Sequence, residues 1–198
     1  MLKKFLDLGF KSTILCIRDR IKHTILYHKY KFDKWHIEAS LNCKLYQRQV
    51  VHIVNNLDNI DCCIELGCGL GHTLQGISVP KKIGIDFSQS TIRGAKDLNS
   101  SNNITFIHGS FEKINGVIED NKKVLLLMIN WTHGLETDIL IDEIKKLNIS
   151  YLLLDCIKDN IKEGYQFHHS IDKLNEHFEI VNSIDSVDKI RQFVLLKI

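Results

Sequence analysis

The stretch CCIELGCGLGHT, residues 62–73, decides the fold of this chain. It begins as a short apolar run that reaches Glu65, as expected for a buried β-strand, and a helical pattern starts near His72. Between them stand three alternating glycines, Gly67, Gly69 and Gly71. Glycine suits a backbone with a positive φ angle or a close approach by a ligand. The stretch therefore predicts a strand, a tight ligand-binding turn and a helix.

Short β-rich runs alternate with helical segments through the rest of the chain, which is the βαβ rhythm of a parallel sheet. Strands are predicted at 62–66, 82–87, 104–108, 124–130, 151–156, 178–184 and 193–198. Runs such as VLLLMI are apolar throughout, which indicates burial on both faces. Only a short polar link separates the last two strands, so they should pair antiparallel. We expect a three-layer α/β sandwich with a mostly parallel seven-stranded sheet and an antiparallel C-terminal strand.

The N-terminal part is predicted to be a helical extension. Residues 1–34 contain nine Lys or Arg and three Asp, whereas the whole chain has a net charge of only +2. Apolar residues recur at helical spacing over 2–26 with basic residues between them, and a second helical pattern covers 41–57. The expected organisation is a helical extension or lid over 1–58 and the main domain over 59–198.

Three settings are open for the basic amphipathic helix: packing on the domain, dimerisation to a homodimer, or peripheral contact with an anionic membrane surface. Packing or dimerisation is favoured, because apolar helical stripes are usually core. No apolar run approaches the roughly 18 residues of a membrane-spanning helix. A cytoplasmic protein is expected, with its six cysteines reduced. No metal is expected, because the cysteines show no zinc-ligand spacing.

A carboxylate at the end of the second predicted strand supports a nucleotide-like ligand. Asp86 stands nineteen residues after Gly67. In an open parallel sheet the ligand lies beyond the carboxyl ends of the strands, where a carboxylate can accept both hydroxyls of a ribose. A dinucleotide fingerprint would need Gly or Ala at the position of His72, and no phosphate-binding GK[ST] follows the glycines.

With the pattern E-x-G-x-G-x-G followed by Asp86, residues 60–198 resemble the class I S-adenosylmethionine-dependent methyltransferases, whose fold is Rossmann-like. The resemblance implies S-adenosylmethionine as the cofactor, with Glu65 near its amino-acid end and Asp86 on its ribose. Phe87 would lie along the adenine, and Ser110 stands where the family commonly has an Asp for the adenine amino group. The cofactor-binding candidates are Glu65, Gly67, Cys68, Gly69, Gly71, Asp86, Phe87, Ser110, Phe111 and Asn130.

The fourth predicted strand is followed by the candidate catalytic residues. By the resemblance, Asn130 and His133 lie at the edge that faces the transferred methyl group, where they would position the acceptor and remove its proton. His108 is the second candidate base. Histidine is the natural base for a hydroxyl nucleophile, so O-methylation is favoured. Candidates for a lid or substrate contact are Trp35, His36 and Tyr46.

The expected acceptor is a small molecule or saccharide. The proline pair usual in methyltransferases of nucleic-acid amines is missing after Asn130, and the main body of the chain is near neutral, so no nucleic-acid partner is expected. The abundance of Ile, Lys and Asn suggests a bacterial enzyme of glycan or secondary-metabolite biosynthesis. Two rival functions stay open: an NAD-dependent oxidoreductase, and a non-catalytic nucleoside-binding protein with a methyltransferase-like fold.

Overall fold

The computed structural model describes residues 9–158 and 164–198, and within them a seven-stranded sheet forms the centre of the molecule. Its strand order is β3-β2-β1-β4-β5-β7-β6. The strands are β1 Cys62–Leu66, β2 Lys81–Asp86, β3 Thr105–His108, β4 Val124–Met128, β5 Tyr151–Ile157, β6 Glu179–Asp185 and β7 Arg191–Lys197. The predicted strands all exist, with boundaries that move by one or two residues.

Strands β1 to β5 pair parallel, and β7 lies antiparallel between β5 and β6. The order reverses beside β1, because β2 lies on one side of it and β4 on the other. At such a switch point the two following connections leave on opposite faces of the sheet and open a crevice at the carboxyl ends. The predicted fold class is confirmed.

Helices cover the sheet and extend it at the N-terminus. They are α1 Phe10–Tyr30, α2 Leu45–Asn55, α3 His72–Gly76, α4 Gln89–Leu98, α5 Thr137–Lys145 and α6 Ile171–Asn175, with a 3₁₀ turn at Lys34–Glu38. The first predicted helix, 2–26, begins outside the described residues and continues to Tyr30. It ends there because Lys31 takes a left-handed conformation, with φ 60°, and returns its N–H to Tyr27.

Apolar side chains pack on both faces of the sheet. All five residues of β1 and of β4 are buried, as their uninterrupted apolar sequences predict. One cluster contains Leu126, and the other contains Leu125 together with Val50 and Val54 of α2. Burial of both faces fixes the strands rigidly, so that the loops at their carboxyl ends have a firm base.

Two cysteines depart from the sequence-based expectation. Cys16 of α1 and Cys43 form a disulfide, with their Cα atoms 5.0 Å apart, so the prediction that all six cysteines are reduced is wrong for this pair. The pair is 27 residues apart and brought together only by the packing of α1 on the segment before α2, which no local spacing reveals. Cys62, Cys63, Cys68 and Cys156 are buried free thiols.

The apolar face of helix α1 does not pack on the domain. The opposite face does. Cys16 and His23 are its buried residues, whereas Phe10, Ile14 and Ile21 are exposed. The expectation that the apolar stripe is core is therefore wrong, because α1 meets the domain through Cys16, which is bonded to Cys43, and through His23, whose ring lies 4.6 Å from that of His72. None of the described helices is long and apolar enough to cross a membrane.

Candidate active site

The glycine turn after β1 is held against the next strand. The N–H groups of Gly67 and Cys68 both donate to the carbonyl of Ile85 in β2, at 2.8 and 3.1 Å. Gly67 has φ 73° and Gly69 has φ 54°, in the left-handed region that favours glycine. A Cβ atom on Gly67 would lie 2.3 Å from Cδ1 of Trp131. The turn therefore needs glycine both for its backbone angles and for the close approach of Trp131.

A cavity of about 430 Å³ opens at this turn, at the carboxyl ends of β1, β2 and β4. We call it the glycine-loop cavity. Of the fifteen residues predicted from the sequence for the site, all but Gly71, His108 and Phe111 line it. His108 is described below. Gly71 instead is the N-cap residue of α3 and lies against the Phe106 ring of β3. Phe111 packs edge-on against Trp131, with 5.2 Å between the ring centres. These two residues support the site from behind.

Glu65 places a buried acid on the wall of the glycine-loop cavity. Glu65 is only 5% exposed, and its Oε2 atom has no hydrogen-bond partner among the described residues. Burial raises the pKa of Glu65 to about 8, although a hydrogen bond from Thr73 opposes the rise. A buried carboxyl with an unused oxygen is costly unless a donor reaches it. The site is therefore suited to a ligand that brings an ammonium or other N–H donor to Glu65.

Asp86 is fixed by two backbone groups at the end of β2. Its Oδ2 accepts the N–H of Gly69 at 3.0 Å, and its Oδ1 accepts the N–H of Ser88 at 2.9 Å. Burial raises its pKa, and the two backbone hydrogen bonds partly offset that effect. Each carboxylate oxygen keeps a further lone pair, and the side chain lines the glycine-loop cavity. The arrangement can accept two hydroxyl hydrogen bonds from a bound ligand.

An exposed aromatic ring stands next to Asp86. Phe87 lines the glycine-loop cavity and is 70% exposed, so it is not a core residue. Ser110, at the end of β3, lines the same side, and its N–H donates to Glu112 at 3.0 Å. A flat apolar face beside a hydroxyl is a suitable surface for a heteroaromatic base.

The 3₁₀ turn Lys34–Glu38 closes the glycine-loop cavity from the other side. Trp35 and His36 stack with ring centres 3.6 Å apart, and a Cβ atom on Gly69 would lie 3.0 Å from the His36 ring. His36 is 2% exposed, its Nδ1 has no partner, and burial lowers its pKa to about 4. A neutral imidazole with an unused ring nitrogen thus faces the glycine turn, where it can exchange one hydrogen bond with a ligand.

Asn130 is held in an unusual backbone conformation at the end of β4. Its φ is 58°, which asparagine tolerates better than most residues. The N–H of Asn130 donates to Oδ1 of Asp155 at 2.7 Å, and its Oδ1 accepts from Arg191 at 3.2 Å. Arg191 in turn forms a buried salt bridge with Asp155. This network fixes the amide where β4 meets the cavity.

Arg191 also organises the residues around it. Its guanidinium donates to Asp188 at 3.0 Å and to the Tyr165 hydroxyl at 3.2 Å, and it lies over the Tyr46 ring at 4.4 Å. No motif or spacing in the sequence marks Arg191, Asp155 and Tyr165 as a group of site residues. One signal was present, since Asp155 interrupts the apolar run of β5. Arg191 gave none, because it lies near the chain end in an ordinary polar link.

His133 lies where the glycine-loop cavity meets a second, wider one. This outer cavity has a volume of about 1110 Å³, and both cavities are lined by Trp35, Ala39, Tyr46, Asn130 and His133. Burial lowers the pKa of His133, while the charge of Asp155 opposes that effect, so the imidazole is neutral near pH 7 and able to take a proton. His108, by contrast, lies outside both cavities and binds the Phe87 carbonyl at 2.8 Å.

Comparison with known proteins finds similarity in structure but not in sequence. No protein-family model matches the chain, and no curated protein matches it. Many solved structures do, among them the N-methyltransferase NodS from Bradyrhizobium japonicum WM9 in complex with S-adenosyl-L-homocysteine. That comparison has a TM-score of 0.64 and 15% identity, and covers 89% of this chain and 97% of NodS. The chain has the class I methyltransferase fold.

Two further structures agree with this assignment of the fold. Magnesium protoporphyrin IX methyltransferase from Synechocystis PCC 6803, with bound S-adenosyl-L-homocysteine, has a TM-score of 0.59 and 14% identity, and the match covers 93% of this chain and 98% of that one. WbdD has a TM-score of 0.59 and 17% identity over 78% of this chain. This chain spans only 40% of the length of WbdD. The class I methyltransferase fold predicted by the resemblance is confirmed.

Proposed function

We propose that this protein is an S-adenosylmethionine-dependent methyltransferase that acts on a hydroxyl group of a small molecule or saccharide. The observation that carries the proposal is the pairing of two acids across the glycine turn: Glu65 with an unused buried oxygen, and Asp86 with both oxygens anchored and still able to accept. S-Adenosylmethionine has an ammonium at one end and a ribose diol nearer the other, so the two ends match the two acids.

The remaining cavity walls fit the same cofactor. Phe87 offers a ring face for the adenine, and Ser110 a hydroxyl for its edge. His36 has an unused Nδ1 beside Gly69 and would contribute one more hydrogen bond. Structures with similar folds contain bound S-adenosyl-L-homocysteine, which supports the same class of ligand.

When bound, S-adenosylmethionine supplies a methyl group on a sulfonium, which is transferred by in-line displacement. The protein must hold the acceptor oxygen in line and exclude water. Asn130, fixed by Asp155 and Arg191, would position the acceptor. A hydroxyl is a weak nucleophile, so His133 would take its proton at the ring nitrogen as the new bond forms. The burial that lowers the pKa of His133 keeps it unprotonated for this role.

The outer cavity supports an acceptor of moderate size. It opens at His133 and carries three aromatic side chains, Trp35, Tyr46 and Tyr165. Its charges are largely paired within the protein, Arg20 with Glu38 at 2.9 Å and Arg191 with Asp188. Aromatic faces beside paired polar groups suit a ring-shaped polar molecule such as a sugar. We therefore favour a saccharide or similar small acceptor over a nucleic acid. The cytoplasmic location expected from the sequence stays a prediction.

The oxidoreductase alternative conflicts with the region around α3. The His72 ring is 6% exposed and lies 4.6 Å from the His23 ring of α1. A dinucleotide-binding protein keeps a small residue at this position so that helix and strand pack closely around the pyrophosphate. Here two imidazoles fill the space, which argues against NAD.

Calorimetric titration tests the cofactor assignment. The protein should bind S-adenosylmethionine and S-adenosylhomocysteine but not NAD, and binding of NAD alone would overturn the proposal. Asp86→Ala should weaken S-adenosylmethionine binding about 10- to 100-fold, since hydrogen bonds to a charged group contribute about 1.5–3 kcal/mol. The matched control is Asp138→Ala, whose carboxylate is 75% exposed and pairs with Lys173. It should bind as the native protein does.

A methyl-transfer screen tests the reaction. Labelled S-adenosylmethionine is offered with panels of saccharides, phenols, alcohols and amines, and the label should appear on an oxygen. Label on nitrogen would reject the O-methylation part of the proposal. Cofactor binding without transfer to any panel would favour the non-catalytic nucleoside-binding protein.

A further inference from the structure

Helix α1 presents an unbroken apolar stripe to solvent. Its five exposed large apolar residues recur every three or four positions and therefore lie on one face of the helix. They are Phe10, Ile14, Ile17, Ile21 and Ile25, and their exposed fractions range from 47% for Ile17 to 84% for Phe10. Apolar residues scattered singly on a surface are ordinary, but a continuous stripe on one helix marks an interaction surface.

The stripe is not a misplaced core face, because α1 is anchored from its opposite side. Cys16 is joined to Cys43 by the disulfide, and Nδ1 of His23 lies 3.0 Å from the Ile37 carbonyl. At the end of α1, Lys29 binds Asp97 of α4 at 2.8 Å. These contacts hold the helix in one orientation, with the stripe facing away from the domain.

A basic border runs along the stripe. Lys11, Arg18 and Lys22 each follow a stripe residue directly in sequence, so they lie along one edge of it, and all three are exposed. The single acidic residue within Phe10–Tyr30 is Asp19, whose side chain is 14% exposed and accepts a hydrogen bond from Asn42 at 2.8 Å. It also lies 3.6 Å from Arg18. The solvent-facing side of α1 is thus apolar in the middle and positively charged at its edge.

This charge pattern distinguishes between the possible partners. A second copy of the chain would bring the same basic border to the stripe, so that self-association adds positive charge to positive charge. An anionic lipid surface supplies both an apolar layer and negative headgroups. Interfacial helices combine these features: an apolar face that enters the headgroup and acyl boundary, and Lys or Arg beside it.

We propose that α1 binds the surface of an anionic lipid bilayer, with the stripe inserted at the interface and its basic border on the lipid phosphates. The binding is independent of the proposed methyl transfer. It has one consequence for the site, because Arg20 of α1 lines the outer cavity. An α-helix with its side chains is about 10 Å across, so docking would hold that cavity close to the membrane.

Sedimentation of the full chain with vesicles tests this proposal. One set of vesicles is phosphatidylcholine, and the other contains about one third phosphatidylglycerol, a composition that gives an anionic surface. The protein should bind the anionic set at least about tenfold more tightly, and raised salt should weaken that binding because it screens the charges.

Two pairs of variants separate the stripe from its border. Ile17→Asn with Ile21→Asn, and Lys11→Gln with Lys22→Gln, should each reduce anionic-vesicle binding at least about tenfold. The apolar control is Ile139→Asn with Val181→Asn, two residues that are 49% and 48% exposed elsewhere on the surface. The basic control is Arg93→Gln with Lys96→Gln on α4. Both controls should bind as the native protein does, and circular dichroism verifies that all variants are folded.

Three outcomes would overturn the proposal. Equal binding to neutral and anionic vesicles would remove the role of the basic border. Equal loss in the control and stripe variants would remove the role of α1. Absence of vesicle binding, together with a dimer in sedimentation equilibrium that Ile17→Asn with Ile21→Asn dissociates, would identify the stripe as a contact between two copies.

Discussion

Arg191 and Asp155 form a salt bridge in which the two side chains are only 4% and 1% exposed. Arg191 is the first residue of β7, and Asp155 lies near the carboxyl end of β5, the strand with which β7 pairs antiparallel. The same two residues bind the side chain and the backbone of Asn130. A single buried ion pair therefore joins the C-terminal strand pair to the residue proposed to position the acceptor.

Arg191→Ala should lower the free energy of unfolding by about 3–5 kcal/mol, because it leaves Asp155 as a buried charge without its partner. Urea denaturation measures the change. The control is Lys197→Ala, whose partner Glu179 lies 3.2 Å away, with the two side chains 55% and 65% exposed. That surface pair should contribute no more than about 1 kcal/mol. Equal small losses in the two variants would contradict a central role for Arg191.

Binding of S-adenosylmethionine should release a proton from Glu65 at pH 6.5. The pKa of Glu65 is raised to about 8 by burial, so the group is protonated at that pH, and an incoming ammonium favours its ionised form. Binding of S-adenosylmethionine should therefore weaken as the pH falls below 8, because the Glu65 carboxyl becomes protonated and the proton must be removed on binding. Calorimetry in two buffers of different ionisation enthalpy counts the released proton. Glu65→Gln should abolish most of the release, and an unchanged count would reject the contact.

Gly67→Ala should destabilise the glycine turn. The added Cβ would meet Trp131, and φ 73° is unfavourable for alanine. We expect a loss of at least about 1 kcal/mol of unfolding free energy together with weaker cofactor binding. Gly116→Ala is the matched control, since a Cβ there has nothing within 4 Å and the φ angle is not positive. A native-like Gly67→Ala protein would show that Trp131 moves freely.

The strands and the glycine turn could be predicted from the sequence because their signals are local. An apolar run as short as VLLLM favours a strand buried on both faces, because a buried helix is usually longer. The alternating glycines after β1 indicate a ligand-binding turn. The position of Asp86 follows from the same rhythm, since it closes the second strand. Each of these inferences uses residues within one β–α–β unit.

The features that the sequence did not reveal all depend on distant contacts. Arg191 meets Asp155 only after β7 has paired with β5, and Trp131 reaches Gly67 only after β4 has taken its place beside β1. The apolar stripe of α1, by contrast, is visible in the sequence, and only its burial was predicted wrongly. Its periodicity was correct, but periodicity gives the direction of an apolar face and does not say whether the domain covers it.

Reduction of the bond between Cys16 and Cys43 should destabilise the N-terminal extension. Closing a loop of 27 residues restricts the unfolded chain, an effect of about 3–4 kcal/mol in the chain-entropy description. Thermal unfolding with and without dithiothreitol should show a lower transition temperature on reduction. The double variant Cys16→Ser with Cys43→Ser should match the reduced protein and should not respond to dithiothreitol. A response in that variant would point to another thiol.

His133→Gln should lower kcat for the acceptor found by the screen about 100- to 10,000-fold, the usual contribution of a general base. Burial lowers the pKa of His133 below its usual 6.5. With S-adenosylmethionine saturating, kcat/KM for the acceptor should therefore fall only as the pH drops below that value and the imidazole becomes protonated. This acidic limb should disappear in His133→Gln. Cofactor affinity should change little, because the expected contact is with the acceptor proton.

The control for this assignment is His108→Gln, which alters the other histidine at a strand end. His108 lies outside both cavities and holds the Phe87 carbonyl, so its loss should leave the acidic limb in place and affect mainly the adenine side of the site. If His108→Gln removes the acidic limb and His133→Gln retains it, the base is His108. That result would require the end of β3 to reach the acceptor, against the arrangement of the two cavities around His133.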